Sequence, residues 1–236
     1  MSIADSLYVV SQILRISAPT VVDSVLGRLT LDACDARLDG WSKLVMERTE
    51  IDLRFHGPRP DWGRTYVVMS NHQSHYDIPV LFRAVQGRLR MVTKKELFKI
   101  PIFGKAMREA GFIEIDRGDR QSAIASLKSA TELLRSGTQV WIAPEGTRSK
   151  DGSIGSLKKG GFVMARQTGL PILPISIQGT INMLPRGTTS TRKGQRVDVT
   201  YSAPIETQDA SVPLDAIMKQ VRDFFVAHAQ TPAAGQ

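Results

Sequence analysis

The pair of residues in this chain whose types and spacing suit proton transfer is His72 and Asp77, in the stretch Ser70-Asn71-His72-Gln73-Ser74-His75-Tyr76-Asp77. Five positions on a regular helix amount to about 140° of rotation, which would point the two side chains apart. They meet only across a turn. The preceding Tyr66-Val67-Val68-Met69 is apolar and β-branched, and reads as a strand that stops at the rim of a sheet, where α/β proteins place their chemistry. With His72 in the turn after that strand and Asp77 in the first turn of a helix starting near Tyr76, the carboxylate holds one imidazole nitrogen while the other faces substrate. That is a general base with an orienting acid. No Ser or Cys is placed as the protein's own nucleophile, so the proton would come from a substrate hydroxyl. The same residues also fit a plainer role, with Asn71, Ser74 and Asp77 capping a helix and His72 a partly buried, hydrogen-bonded histidine.

Two further strands end in turns with chemical potential. Phe112 to Ile115 runs into Asp116-Arg117-Gly118-Asp119-Arg120, where Arg117 is placed to fork two hydrogen bonds to a phosphate or to pair with a neighbouring aspartate. Gln139 to Ala143 empties into Pro144-Glu145-Gly146-Thr147-Arg148. Proline fixes φ there, glycine permits close backbone approach, and the remaining side chains offer an acceptor, a hydroxyl and a fork of donors. Such a turn suits a polyol phosphate, with Glu145 on a glycerol hydroxyl and Arg148 on the phosphate. A plain β-turn is the alternative.

Four blocks in this order, Asn71 to Asp77, Gly111 to Arg117, Pro144 to Arg148 and Leu170 to Ile177, resemble the glycerolipid acyltransferases, and most closely the 1-acylglycerol-3-phosphate O-acyltransferases. The likeness covers about residues 60 to 205 and includes Lys94 to Gly104. It implies the α/β acyltransferase fold and transfer of an acyl group from a thioester of coenzyme A or acyl carrier protein to the free sn-2 hydroxyl of 1-acylglycerol 3-phosphate. No cofactor beyond that thioester co-substrate is expected. Residue by residue, the resemblance makes His72 the base and Asp77 its partner. His75, two residues from Asp77, is the rival base, on the wrong side of the turn by the family pattern. Arg117 and Arg148 become phosphate ligands, and Glu145, Gly146 and Thr147 position the glycerol. The fourth block helps line the acyl-donor region. The family usually has Phe where this chain has Ala143, which bears on local packing more than on chemistry. Two alternatives stay open: another lysolipid acceptor, as in lysophospholipid remodelling or amino-acid lipid synthesis, or a non-catalytic basic module that docks on membranes.

The elements that must position these residues can be sketched from pattern. A chain of 236 residues with 42% hydrophobic content suffices for one α/β domain with an appendage. Strands are expected at about 51–55, 66–70, 89–93, 112–115, 139–143, 170–177 and 197–201, alternating with helices, which favours a largely parallel sheet flanked by helices. Pro171 and Pro174 suggest that the sixth of these is an edge or irregular strand. Residues 1–50 read as amphipathic helices, with one helical stretch in two pieces broken at Ala18-Pro19 and another from Asp35 to Arg48, which by pattern alone pack on the domain or a partner chain and by the resemblance form a membrane-association motif. The family resemblance places these helices in a membrane interface, with Trp41 at headgroup level. Residues 51–229 form the α/β domain and 230–236 a disordered tail.

The net charge of +8 is concentrated in residues 83–200, which hold 21 Lys and Arg against 9 Asp and Glu. A phosphorylated substrate or an anionic membrane surface explains that excess. Nucleic acid does not, since basic segments lack interleaved aromatics. The single Cys34, which has no internal disulfide partner, points to a reducing compartment, and neither it nor the four scattered histidines have metal-ligand spacing. Taken with the resemblance, they suggest a monotopic protein at the cytoplasmic face of a membrane, using a membrane lipid as substrate.

Overall fold

The computed structural model describes residues 3–116, 120–184 and 188–229. Two helices, α1 (Ile3–Val25) and α2 (Leu31–Thr49), precede an α/β body. That body runs β1 (Asp52–His56), β2 (Val67–Ser70), α3 (Asp77–Ala84), β3 (Leu89–Lys94), α4 (Lys95–Phe98), α5 (Phe103–Glu109), β4 (Ile113–Ile115), α6 (Arg120–Arg135) and β5 (Gln139–Ile142). It continues with α7 (Gly160–Thr168), β6 (Ile172–Gln178), α8 (Thr180–Met183), β7 (Arg196–Tyr201) and α9 (Leu214–His228). The seven strands form one sheet in the order β1-β7-β6-β2-β5-β3-β4. Only the β6–β7 pair is antiparallel, so the largely parallel α/β sheet expected from the sequence is what forms.

Successive side chains on a strand point to opposite faces, and β2 divides the core accordingly. Val68 joins Trp41, Val45, Leu81, Leu89, Trp141 and Ile175 on one side of the sheet. Val67 and Met69 join Phe162, Ile172, Val221 and Phe225 on the other. Both faces are covered, so β2 is buried throughout and its C-terminal end can project polar groups only forward, beyond Ser70.

Three expectations are corrected. β6 is central and wholly buried, although it contains Pro174. The amide of Ile172 bonds to the Ile205 carbonyl and the Ser202 amide bonds to the Pro174 carbonyl, so the missing Pro174 donor faces the stretch where the chain leaves β7 after Tyr201. Second, α1 continues through Pro19 instead of breaking. The Thr20 hydroxyl supports that turn by donating to the Ile16 carbonyl at 2.8 Å. Third, Trp41 is buried and meets Phe82 edge to face at 6.3 Å, fixing α2 on α3 rather than reaching a headgroup layer.

The sidedness of α1 is unusual. Its buried positions are Asp5, Gln12, Ser17 and Thr20, all polar. They are occupied within the protein: Asp5 pairs with Arg48 at 2.8 Å, and the Thr20 oxygen accepts from Arg37 at 3.1 Å. Its apolar residues Ile3, Leu7, Val10 and Leu14 are exposed, Leu7 by 64%. Among the described residues no helix is long and apolar enough to cross a membrane.

Candidate active site

The loop from Asn71 to Tyr76 joins β2 to α3 and is held from several directions. Asn71 clamps it to β6, its amide donating to the Ile177 carbonyl and its oxygen accepting the Ile177 N–H, both at 2.8 Å. Gln73 bonds to Gln178 at 3.0 Å. The His72 N–H donates to Glu145 Oε1 at 3.2 Å, and the Ser149 N–H donates to the His72 carbonyl at 2.7 Å. Both peptide groups of the histidine are thereby tied to the loop after β5.

Across this turn His72 Nδ1 lies 2.7 Å from Asp77 Oδ2. Asp77 is fully buried, and the same oxygen accepts the N–H groups of Gln73 and Ser74 at 2.7 and 3.0 Å. Its other oxygen accepts the Thr180 hydroxyl at 2.5 Å. An acceptor so placed fixes the proton of a neutral imidazole on Nδ1 and leaves the Nε2 lone pair available as a base. The Trp141 ring stands edge-on to the imidazole at 5.6 Å, and its own Nε1 donates to Ser70 Oγ at 2.9 Å. The two serines nearest the histidine are otherwise engaged: Ser70 Oγ donates to the Asn71 carbonyl and Ser74 Oγ to the Leu184 carbonyl.

The turn after β5 uses its residues as their types dictate. Pro144 leads a tight turn closed by the Gly146 N–H on the Ala143 carbonyl, with Gly146 at φ 73°. Thr147 is exposed and Arg148 half-buried. The Arg148 charge is felt at His75, so the turn and the histidine loop border one space. Crowding by the surrounding loop, and then that charge, lowers the His75 pKa to about 4.

Glu145 has a different setting from the one expected. It is buried, and its second oxygen accepts the Gly155 N–H at 2.8 Å while the first takes His72 N–H. Burial raises its pKa, with the two N–H groups pulling it back. Instead of presenting an open acceptor to glycerol, it ties the histidine loop to the Gly155 loop. Glu145→Ala leaves two buried N–H groups without an acceptor and is expected to cost about 2–4 kcal/mol in denaturant unfolding. In Glu145→Gln one carboxylate oxygen becomes a donor facing an N–H, and about 1–2 kcal/mol is expected to be lost. A surface residue holding only substrate would leave the unfolding midpoint of both variants unchanged.

The sequence-expected residues His72, Asp77, Glu145, Gly146, Thr147 and Arg148 are therefore gathered at the ends of two adjacent strands. Arg117 lies outside the described residues, as does the tail Gln230 to Gln236. Among the described residues no group of three or more His, Cys, Asp and Glu could hold a metal ion. Trp141 and Thr180 contribute to the site without having been singled out from sequence, and Asn71, read there as a helix cap, instead clamps the loop to β6.

The doubly covered, mostly parallel sheet thus carries a histidine–aspartate pair at one strand end with an arginine-bearing turn beside it, the layout of an α/β protein with its site at the sheet rim. Residues 52–178 match the family model described as Acyltransferase, and the chain belongs to that family. It is 39% identical over 155 residues to a chloroplastic 1-acyl-sn-glycerol-3-phosphate acyltransferase of Arabidopsis thaliana, covering 66% of this chain and 43% of that protein. It is 37% identical over 129 residues to the human 1-acyl-sn-glycerol-3-phosphate acyltransferase alpha, covering 54% and 44%. The chain thus spans about half the length of these curated relatives. The crystal structure of the 1-acyl-sn-glycerophosphate acyltransferase of Thermotoga maritima superposes with a TM-score of 0.79 at 26% identity, covering 95% of this chain and 92% of that one.

Proposed function

We propose that this protein transfers a fatty acyl group from an acyl thioester, carried by coenzyme A or acyl carrier protein, to the free sn-2 hydroxyl of 1-acylglycerol 3-phosphate, giving phosphatidic acid. The observation that carries the reading is the dyad: a histidine whose Nδ1 is held by a buried carboxylate, with both neighbouring serine hydroxyls turned to backbone carbonyls. The proton that Nε2 takes therefore belongs to the acceptor. As it leaves, the acceptor oxygen attacks the thioester carbonyl, a C–O bond forms, the C–S bond breaks, and the imidazolium returns its proton to the departing thiolate. Arg148, with Arg117, holds the phosphate, and Gly146 and Thr147 border the glycerol. The relatives named as 1-acyl-sn-glycerol-3-phosphate acyltransferases support the choice of acceptor.

Labelled acyl thioester is offered with lysophosphatidic acid and, separately, with other lysolipids. Transfer to lysophosphatidic acid that disappears in His72→Ala is the expected result. Transfer only to a different lysolipid would refute the acceptor, and no transfer to any would refute the enzyme.

The reading also places the protein on a membrane as a monotopic protein, the cytoplasmic face being carried over from the family resemblance. Support comes from α1, which packs Val9, Ile13 and Ile16 with its buried polar residues on the protein and still leaves Ile3, Leu7, Val10 and Leu14 outward, and from exposed Ile100 and Ile102 on the turn entering the neighbouring α5. Ser6 on α1 reaches Thr191 at 2.9 Å, which meets the Tyr76 hydroxyl at 2.8 Å, so the apolar helix adjoins the catalytic loop. The double variant Leu7→Asp, Leu14→Asp is expected to weaken vesicle partitioning by at least about tenfold. Unchanged co-sedimentation with vesicles would refute docking through α1.

A further inference from the structure

We propose that Thr180 is a positioning residue of the active site, a third member that holds Asp77 so that Asp77 can hold His72. Thr180 lies 103 positions from Asp77 in the sequence, and its Oγ1 donates to Asp77 Oδ1 at 2.5 Å with both side chains buried. Asp77 Oδ2 already serves His72, Gln73 and Ser74, so Thr180 is what occupies the opposite oxygen. A carboxylate rotates about its Cβ–Cγ bond, and donors on one oxygen alone leave that rotation poorly defined. The hydroxyl on the far side locks it, and with it the plane of the imidazole.

The chain is shaped to make this contact. Thr180 opens α8 directly after β6, and the residue between them, Gly179, has φ 97°. A Cβ there would lie 2.2 Å from the Arg196 carbonyl oxygen, so only glycine allows β6 to turn this sharply and deliver the threonine beneath α3. The same end of β6 carries Ile177 and Gln178, which hold Asn71 and Gln73. The end of β6 and the first residue of α8 thus act as one wall against which the histidine loop is registered.

The consequence is electrostatic as well as geometric. The charged or titratable groups around the imidazole are Asp77, Glu145, His75 and Arg148. Thr180 adds a donor that satisfies part of the Asp77 charge. Without it that charge is directed more fully at His72, the imidazolium is held more tightly, and the free base appears only at higher pH.

This inference rests on the reading of His72 as general base, and it is tested by two measurements that fail separately. The first is the pH–rate profile of acyl transfer for wild type, Thr180→Val and Thr180→Ser. In Thr180→Val kcat is expected to fall about ten- to a hundredfold with little change in KM, and the acid limb to move to higher pH. Thr180→Ser keeps the hydroxyl and restores both. The second is an NMR titration of the His72 ring in the same proteins, which needs no turnover. Its resonances are expected to titrate at higher pH in Thr180→Val and at the wild-type pH in Thr180→Ser. An inactive wild type in which this shift persists would refute the acyltransferase reading and leave the Thr180–Asp77–His72 linkage intact. Should Thr180→Val fail to fold by circular dichroism, Thr180→Ala takes its place. Wild-type profiles in the hydroxyl-less variant, or equal losses in the valine and serine variants, would overturn the proposal.

Discussion

Replacing His72 by alanine is expected to lower kcat for acyl transfer by about a hundred- to ten-thousandfold, the usual worth of a positioned general base. KM for the lysolipid should change little, because the imidazole acts on the hydroxyl and the phosphate is held elsewhere. The fold should survive. The His72 side chain is 17% exposed, and the contacts that pin this residue to its neighbours run through its peptide N–H and carbonyl, which alanine retains. His75→Ala is the natural companion. His75 lies on the exposed side of the loop, and a lowered pKa makes it the weaker proton acceptor. The carboxylate in the loop is already committed to His72. The variant should keep most of the activity. Loss of turnover in His75→Ala with turnover kept in His72→Ala would reverse the assignment of base.

What the sequence made legible, and what it did not, follows the range of the interactions. The His72–Asp77 pair could be read because both partners sit in one turn, and the strand before them is marked by its own apolar run. The parallel sheet could be read because strands and helices alternate at regular spacing. Thr180 could not, since its meeting with Asp77 depends on β6 lying beside β2, a pairing that no local pattern encodes. The turn at Pro144 to Arg148 was readable as a turn, but not the direction in which Glu145 faces, because a carboxylate suits an exposed ligand position and a buried pair of N–H donors equally well. Pro174 misled for a similar reason. Proline is excluded from a central strand only if its missing donor faces a rung, and here it faces the end of a neighbour. In α1 the 3.6-residue period was visible, yet the period is the same whichever face turns inward. Only the burial of Asp5, Gln12, Ser17 and Thr20 beside the packed Val9, Ile13 and Ile16, with the exposure of Leu7, reveals which face turns inward.

Asp77 should separate folding from chemistry when it is changed in two ways. Asp77→Ala removes an acceptor that serves two backbone N–H groups, one hydroxyl and one imidazole N–H, all inside the protein. With about 1–3 kcal/mol for each donor left unsatisfied, a loss of at least about 3 kcal/mol is expected, a large part of a typical domain's stability. Low activity in that variant would say little about mechanism. Asp77→Asn is the informative change. Its amide oxygen can stand where Oδ2 stands and accept the same three N–H groups, while its amide nitrogen donates to a Thr180 hydroxyl that turns to accept. Denaturant unfolding should therefore show a loss of no more than about 1–2 kcal/mol. Turnover should still fall about a hundred- to ten-thousandfold, because the imidazolium formed during proton transfer no longer faces a negative charge. Near-normal turnover in Asp77→Asn would reduce Asp77 to a structural cap of α3. The pH dependence gives an independent sign. Without the carboxylate charge the imidazolium is held less tightly, so the acid limb of the residual activity moves to lower pH, whereas in Thr180→Val it moves to higher pH. Opposite shifts from two residues on the two sides of one buried carboxylate are what a hydroxyl–carboxylate–imidazole chain requires. General loosening of the loop would shift both variants in the same direction or in neither.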